Sequence, residues 1–275
     1  MSKYSKDDLV AAIKRSGYLL ESEIANILVA ADFFVESNQI IEDPITGKSR
    51  EIDLIAEYFD NNNSGRSELK ACAKIKFIFE IKNNIYPLVL MTKLAFSPNI
   101  EIWESTKEIL TEIEGINSSS TNSFYEILLE KNKPIFTQYC SFDIKKGKKV
   151  EELLASHPEQ VYIGLSKITQ YCEECVESWK NHDISYPYYR RFMYMPVLLI
   201  NEDLYELEIG GDNKPTLNKV EESRLVFNYF YKNDPKLATI WVVTKKGFKS
   251  FIDKMVCEER QLENDMIAVV KKIKA

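Results

Sequence analysis

Histidine is nearly missing from this chain of 275 residues, which has only His157 and His182. That scarcity, with no Ser–His–Asp context, argues against hydrolysis by a nucleophilic triad. Cysteine is sparse and odd in number: there are five, and only Cys172 and Cys175 form a Cys-x-x-Cys. A structural zinc normally takes four N or S ligands, usually from two such pairs. In a helical-looking stretch, 161–180, the pair reads as two reduced thiols one turn apart. No apolar run is long enough to cross a bilayer. Met1 to Asp8 carries no signal-peptide apolar segment, so a cytoplasmic protein is expected. Positive charge is not in excess either. The net charge of −6 counts against a strongly nonspecific DNA binder, although contact is made by local patches rather than by whole-molecule charge. We find no repeat period and no helix-turn-helix or zinc-finger signature. With 45% hydrophobic and 28% charged residues, what remains is a globular chain able to bury a sizeable core.

What is present is a pair of charged strands. From Lys74 to Lys82, Ile75, Phe77, Phe79 and Ile81 alternate with Lys74, Lys76, Ile78, Glu80 and Lys82. Period two with aromatic and β-branched residues predicts a strand buried on one face, with Glu80 and Lys82 together on the other. Upstream, Ile52, Leu54 and Ala56 share one face and Glu51, Asp53, Ile55 and Glu57 the opposite one. The Asn-, Ser- and Gly-rich stretch 60–68 lets the chain turn and pair the two strands. Asp53 and Glu80 can then converge. Alone, Glu-x-Lys is better explained as an intrastrand ion pair. Two convergent carboxylates make a hard oxygen site of the kind Mg²⁺ takes, with the backbone carbonyl of Ile81 as a third ligand. Such a metal can polarise a phosphoryl oxygen and activate a water to attack it, and Lys82 would place a cation near that water and the developing phosphorane charge.

A third acid precedes them. Leu20, Ile24, Ile27, Leu28 and Ala31 form one helical stripe, predicting an amphipathic helix over about 18–31. Glu21 and Glu23 lie on opposite edges of that stripe, and helical geometry alone hardly separates them. Glu21 has the more apolar surroundings, Tyr18, Ala25 and Leu28.

At these residues the chain resembles the restriction-endonuclease-like superfamily, the PD-(D/E)XK nucleases. Their core runs helix, three antiparallel strands, helix, strand, with acids on the first helix and on the second and third strands. Glu21, Asp53 and Glu80-Ile81-Lys82 stand in that order, and 33–48 fits the first strand and its hairpin. The spacing Glu21, Ile24, Ala25, Asp32 and Phe33-Phe34-Val35 matches the helix motif better than a register from Glu23. Asp32 stands where a turn Gly is usual, and Ile52 replaces the Pro of the motif. The resemblance covers about residues 17–92. It implies that Asp53 and Glu80 bind the metal, Mg²⁺ or Mn²⁺, that Lys82 positions or activates the water, and that Glu21 assists the metal or its water shell.

The expected fold is therefore α/β, with a core over about 17–95 and 159–243. A mostly helical insertion is expected at about 96–158, and a long C-terminal helical segment at 244–275. The second core helix is predicted at 161–180, strands at 192–209, 225–231 and 237–243, and an N-cap at Thr244. Arg190 and Arg191, among tyrosines, and Lys145 and Lys146, in the densest basic run, are candidate nucleic-acid contacts. The expected activity is metal-dependent phosphodiester hydrolysis, of DNA rather than RNA, compatible with restriction, phage defence or repair. A homodimer would suit the cutting of two strands, and specificity would come from the region 96–243, from a partner protein, or be low. The alternatives are a non-catalytic nucleic-acid-binding protein on the same fold, and an unrelated α/β protein whose charged strand is decoration.

Overall fold

The computed structural model describes residues 4–42, 47–58, 71–94, 105–111, 133–146, 151–180, 189–211 and 213–274. The fold is mixed α/β. Four helices among the described residues flank one sheet of twelve strands. Helix α1 (Lys6–Ser16) opens with a capping box between Ser5 and Asp8 and ends at left-handed Gly17. Helix α2 (Tyr18–Ala30) follows at once and buries Leu20, Ile24 and Leu28. Asp32 leaves it at φ 63°, a conformation that a short polar side chain tolerates where Gly is the usual choice.

Strands β1 (Phe33–Glu42) and β2 (Ser49–Tyr58) are antiparallel, as are β2 and β3 (Ala71–Lys82). Along β3, on its other side, runs β8 (Tyr189–Ile200) in parallel, paired from Ala71↔Tyr189 to Lys82↔Ile200. Helix α3 (Glu159–Lys180) lies in the connection between them. Beyond β8 come β12 (Asp234–Thr244), parallel to it, and β11 (Glu222–Tyr231), antiparallel to β12.

Two apolar layers hold this sheet. Phe77 and Phe79 of β3 pack against Phe248 and Phe251 of α4 (Phe248–Lys274). On the opposite face Ile55, Ile78 and Leu198 meet Val161, Leu165, Ile168 and Cys172 of α3. Truncating either central phenylalanine to Ala would cost about 3–5 kcal/mol. Strand β3 is thus buried on both faces, not one. An alternating pattern predicts a half-solvated strand, but here the charged positions themselves lie under a helix.

The region 96–158 differs from the mostly helical expectation. Among its described residues it contributes β5 (Glu108–Thr111), β6 (Phe136–Lys146) and β7 (Glu151–Ser156). Residues 112–132, where part of that helical expectation falls, lie outside the described set. The outer part of the β6–β7 hairpin is exposed on both sides, with Ile144, Leu153 and Leu154 open to solvent, so it lacks the alternation that marks a half-buried strand. Strand β4 (Leu88–Lys93) does not prolong β3. It crosses to pair with β6 and with β9 (Leu204–Ile209), and β10 (Pro215–Val220) closes that end of the sheet. Helix α4 is unbroken, and Thr244 Oγ1 accepts from Gly247 N at 3.0 Å in the turn before it.

Candidate functional site

The candidate site forms where β2 and β3 part. Their rungs run from Glu57↔Lys76 to Leu54↔Phe79 and stop there. Continuing that register would set Asp53 opposite Glu80. Asp53 instead turns its carboxylate onto the next strand, and Oδ2 accepts from Ile81 N at 2.7 Å. Pairing with β1 skips the same position: Ser37↔Leu54 and Gln39↔Ile52 pair, while Asn38 between them sits at φ 55°. Ile52 consequently joins the α3-side cluster with Ile55 and Ile78 rather than sharing a face with Leu54 and Ala56.

Glu80 points under α3 and is only 2% exposed. Gly164, on the overlying turn, makes the room. A Cβ there would lie 2.5 Å from Glu80 Oε1 and 2.6 Å from its Cδ and Cγ. One turn further along, Lys167 reaches both acids, at 2.5 Å from Glu80 Oε2 and 3.1 Å from Asp53 Oδ1. Lys82 pairs with Glu80 Oε1 at 2.5 Å. Two sequestered carboxylates are therefore balanced by two ammonium groups, the condition under which charge is tolerated away from water. Burial opposes the charged form of Lys167, but the charges of Glu80 and Asp53 outweigh it and hold the ammonium above its ordinary pKa.

Glu21 completes the group. Burial first, then the charges of Asp53 and Glu80, push its carboxyl above the usual range. Glu23 turns away and forms an exposed ion pair with Lys245 at 2.5 Å. Of the two acids on α2, Glu21 is the one that belongs to the cluster.

The ends of the neighbouring strands are fixed by asparagines. Asn83 Nδ2 donates to the carbonyls of Lys14 at 2.8 Å and Arg15 at 3.4 Å, tying α1 to the exit of β3. Asn84 Oδ1 accepts from the amides of Asn201 and Glu202, joining the exits of β3 and β8. The cluster thus lies at the carboxyl ends of parallel strands, the edge at which open α/β sheets place their ligands.

No protein-family model, curated protein or solved structure matches this chain.

The donor set fits Mg²⁺ or Mn²⁺ in kind. Asp53, Glu80 and Glu21 supply hard oxygens, and the gap at Gly164 leaves Glu80 space under α3. Among the described residues, no group of three or more His, Cys, Asp or Glu stands ready to hold a metal ion. Lys167 occupies the interval between Asp53 and Glu80 in this arrangement.

Other candidates lie elsewhere. Arg191 is buried in β8 and pairs with Glu108 at 3.0 Å, so it does not offer its guanidinium to a surface ligand. Arg190 beside it is half-buried. The interleaved aromatic and basic residues belong to an internal strand that starts at Tyr189. Tyr186 and Tyr188 lie outside the described residues. Lys145 and Lys146 end β6, across from Glu152 and Glu151. That strand stands four places from β3 in the sheet, about 19 Å at ordinary strand spacing. Lys148 and Lys149 are outside the described set. Cys172 and Cys175 line the underside of α3, where burial raises both thiols, that of Cys175 to about 11.

Sequence reasoning missed Lys167 and Gly164. Their signal is an interruption of the stripe Val161, Leu165, Ile168 and Cys172. A glycine inside a helix costs about 1 kcal/mol relative to Ala, and this one is followed at helical spacing by a lysine among buried apolar residues.

Proposed function

We propose that the chain is a divalent-metal-dependent nuclease of the restriction-endonuclease-like type that hydrolyses phosphodiester bonds, of DNA in preference to RNA. The observation that carries this reading is the meeting of Asp53 and Glu80 through one ammonium group at the exit of β3, with Lys82 on the same carboxylate. The order α2, β1, β2, β3, α3, β8, with three antiparallel strands and a parallel fourth, supports reading these elements as that core. The preference for DNA rests on the resemblance alone.

In this reading Asp53 and Glu80 hold the metal, with the carbonyl of Ile81 as a further oxygen. A divalent metal held there would supply Lewis-acid polarisation of a phosphoryl oxygen and a more acidic water. Lys82 is anchored on Glu80 and is the more exposed of the two lysines, with a side chain 24% exposed against 10% for Lys167. From there it orients a water and offsets negative charge developing at phosphorus. Glu21, whose carboxyl feels the charges of both acids, would assist the metal or its water shell. The hydrogen bond from Ile81 N fixes the Asp53 carboxylate, so little reorganisation is needed as substrate binds.

A second reading, a nucleic-acid-binding protein without cleavage, is favoured by one observation: lysines and an amide already engage the oxygens of both acids. Incubating the purified chain with linear, supercoiled and single-stranded DNA and with RNA, plus Mg²⁺ or Mn²⁺, separates the two. Wild type and Glu23→Gln should cut, while Asp53→Ala, Lys82→Ala and Glu21→Gln should lose cleavage. If wild type cuts nothing, or if Asp53→Ala and Lys82→Ala both cut as well as wild type, the nuclease reading is wrong.

A further inference from the structure

We propose that Lys167 is the resident counter-cation of the acid pair, and that a divalent metal enters the site only by displacing it. This rests on the metal-dependent reading above. The four carboxylate oxygens are all engaged: Asp53 Oδ2 by Ile81 N, Asp53 Oδ1 and Glu80 Oε2 by Lys167, and Glu80 Oε1 by Lys82. Of these partners, Lys167 is the one that touches both acids. A metal shared by Asp53 and Glu80 would sit about 2.1 Å from one oxygen of each, in the space the ammonium now fills. Two cations cannot share that space, because their repulsion is strong where water is excluded. Lys82 does not conflict in this way, since it contacts Glu80 alone and from the more exposed side.

The lysine is built to leave. Its stem is long and flexible, and its ammonium is a compact charge that exchanges partners readily. While it stays, it spares the protein two adjacent carboxylates, one of them almost fully buried, with Lys82 as their one remaining lysine partner. The same contact that steadies the metal-free protein therefore opposes metal binding.

Mn²⁺ titration followed by loss of the free-ion EPR signal measures this without substrate, alongside thermal melting with and without Mn²⁺. In Lys167→Met, Mn²⁺ should bind at least about tenfold tighter than in wild type. The metal-free melting temperature should fall, and Mn²⁺ should raise it more than in wild type. Lys167→Arg, whose planar fork grips carboxylates more firmly, should bind Mn²⁺ more weakly than wild type and keeps the test valid if the Met variant does not fold. Equal or weaker binding in Lys167→Met, or undiminished binding in Lys167→Arg, overturns the proposal. If that happens while wild type still cleaves DNA, the nuclease reading stands. If neither wild type nor variant binds Mn²⁺, the metal-dependent reading fails and this proposal falls with it.

Discussion

The carboxylate of Asp53 accepts from the amide of Ile81 at 2.7 Å, two residues past Phe79, the last residue of β3 paired with β2. The other end of the ladder is finished in the same manner. Beyond Glu57↔Lys76, Glu259 of α4 takes the amide of Ile75 at 2.7 Å, and Lys74 reaches both Glu259 and the carbonyl of Tyr58. Two carboxylates thus complete the edge of β3 where its neighbour departs. One belongs to the candidate site and the other to the core. Each satisfies a backbone donor that would otherwise lack a strand partner.

Asp53 therefore has a structural contribution separable from chemistry. Asp53→Ala leaves the amide of Ile81 without its partner, which costs about 1–3 kcal/mol for a buried donor. Asp53→Asn keeps an acceptor and should retain most of that stability. Both variants should lose cleavage. Urea denaturation beside a cleavage assay checks this, and equal destabilisation by Ala and Asn would refute the separation.

Gly164→Ala tests the space around Glu80. Helix propensity alone would favour Ala by about 1 kcal/mol. The new Cβ, however, falls 2.5 Å from Glu80 Oε1, so the carboxylate has to shift. A displacement near 1 Å at a reacting centre can cost about a hundredfold in rate. We expect a loss of that order in single-turnover cleavage, with the fold retained by circular dichroism. Unchanged cleavage would mean that the present position of Glu80 is not the working one.

Glu259 makes stability depend on pH. Burial pushes its carboxyl up to about 7, against the pull of Lys74 and of the Ile75 amide. The folded protein then holds this proton more tightly than the unfolded chain, whose carboxyl titrates near 4.5. The resulting stability is fully present below pH 4.5 and is lost as pH rises towards 7. At about 1.4 kcal/mol per unit, the change is at most about 3 kcal/mol. Glu259→Gln keeps an acceptor for Ile75 and should remove this slope. The check is the difference in urea midpoint between wild type and variant from pH 4.5 to 7.5. A constant difference would show that Glu259 does not titrate there.

The charged strands were legible because their signals are local. Ile75, Phe77 and Phe79 mark β3 by alternation, and the acids of the cluster stand at spacings that a strand or helix converts into a face. Glu21 and Glu23 could not be separated by pattern, since their difference lies in what surrounds them: Asp53 and Glu80 beside one, Lys245 beside the other. Lys167 was hidden for a related reason. A lysine on a long helix reads as solvated until the strand beneath it is known. Arg191 and the tyrosines of β8 looked like a surface patch because polar letters describe composition, whereas their burial is decided by β3, β5 and β12 packing around that strand. The β6–β7 hairpin escaped because the described residues of its outer half, Ile144, Leu153 and Leu154 among them, are exposed and so carry no period of burial.

The pairing of β3 with β8 has a consequence for how the protein comes to be. Each rung joins residues more than a hundred positions apart, and such parallel, long-range pairing is closed late and slowly. A nascent chain still short of Tyr189 has already synthesised Asp53, Glu80, Lys82 and Lys167, yet it has no strand along the second edge of β3 to hold them in register. The arrangement described for these residues is therefore completed only once the chain has passed Tyr189 and β8 has closed on β3.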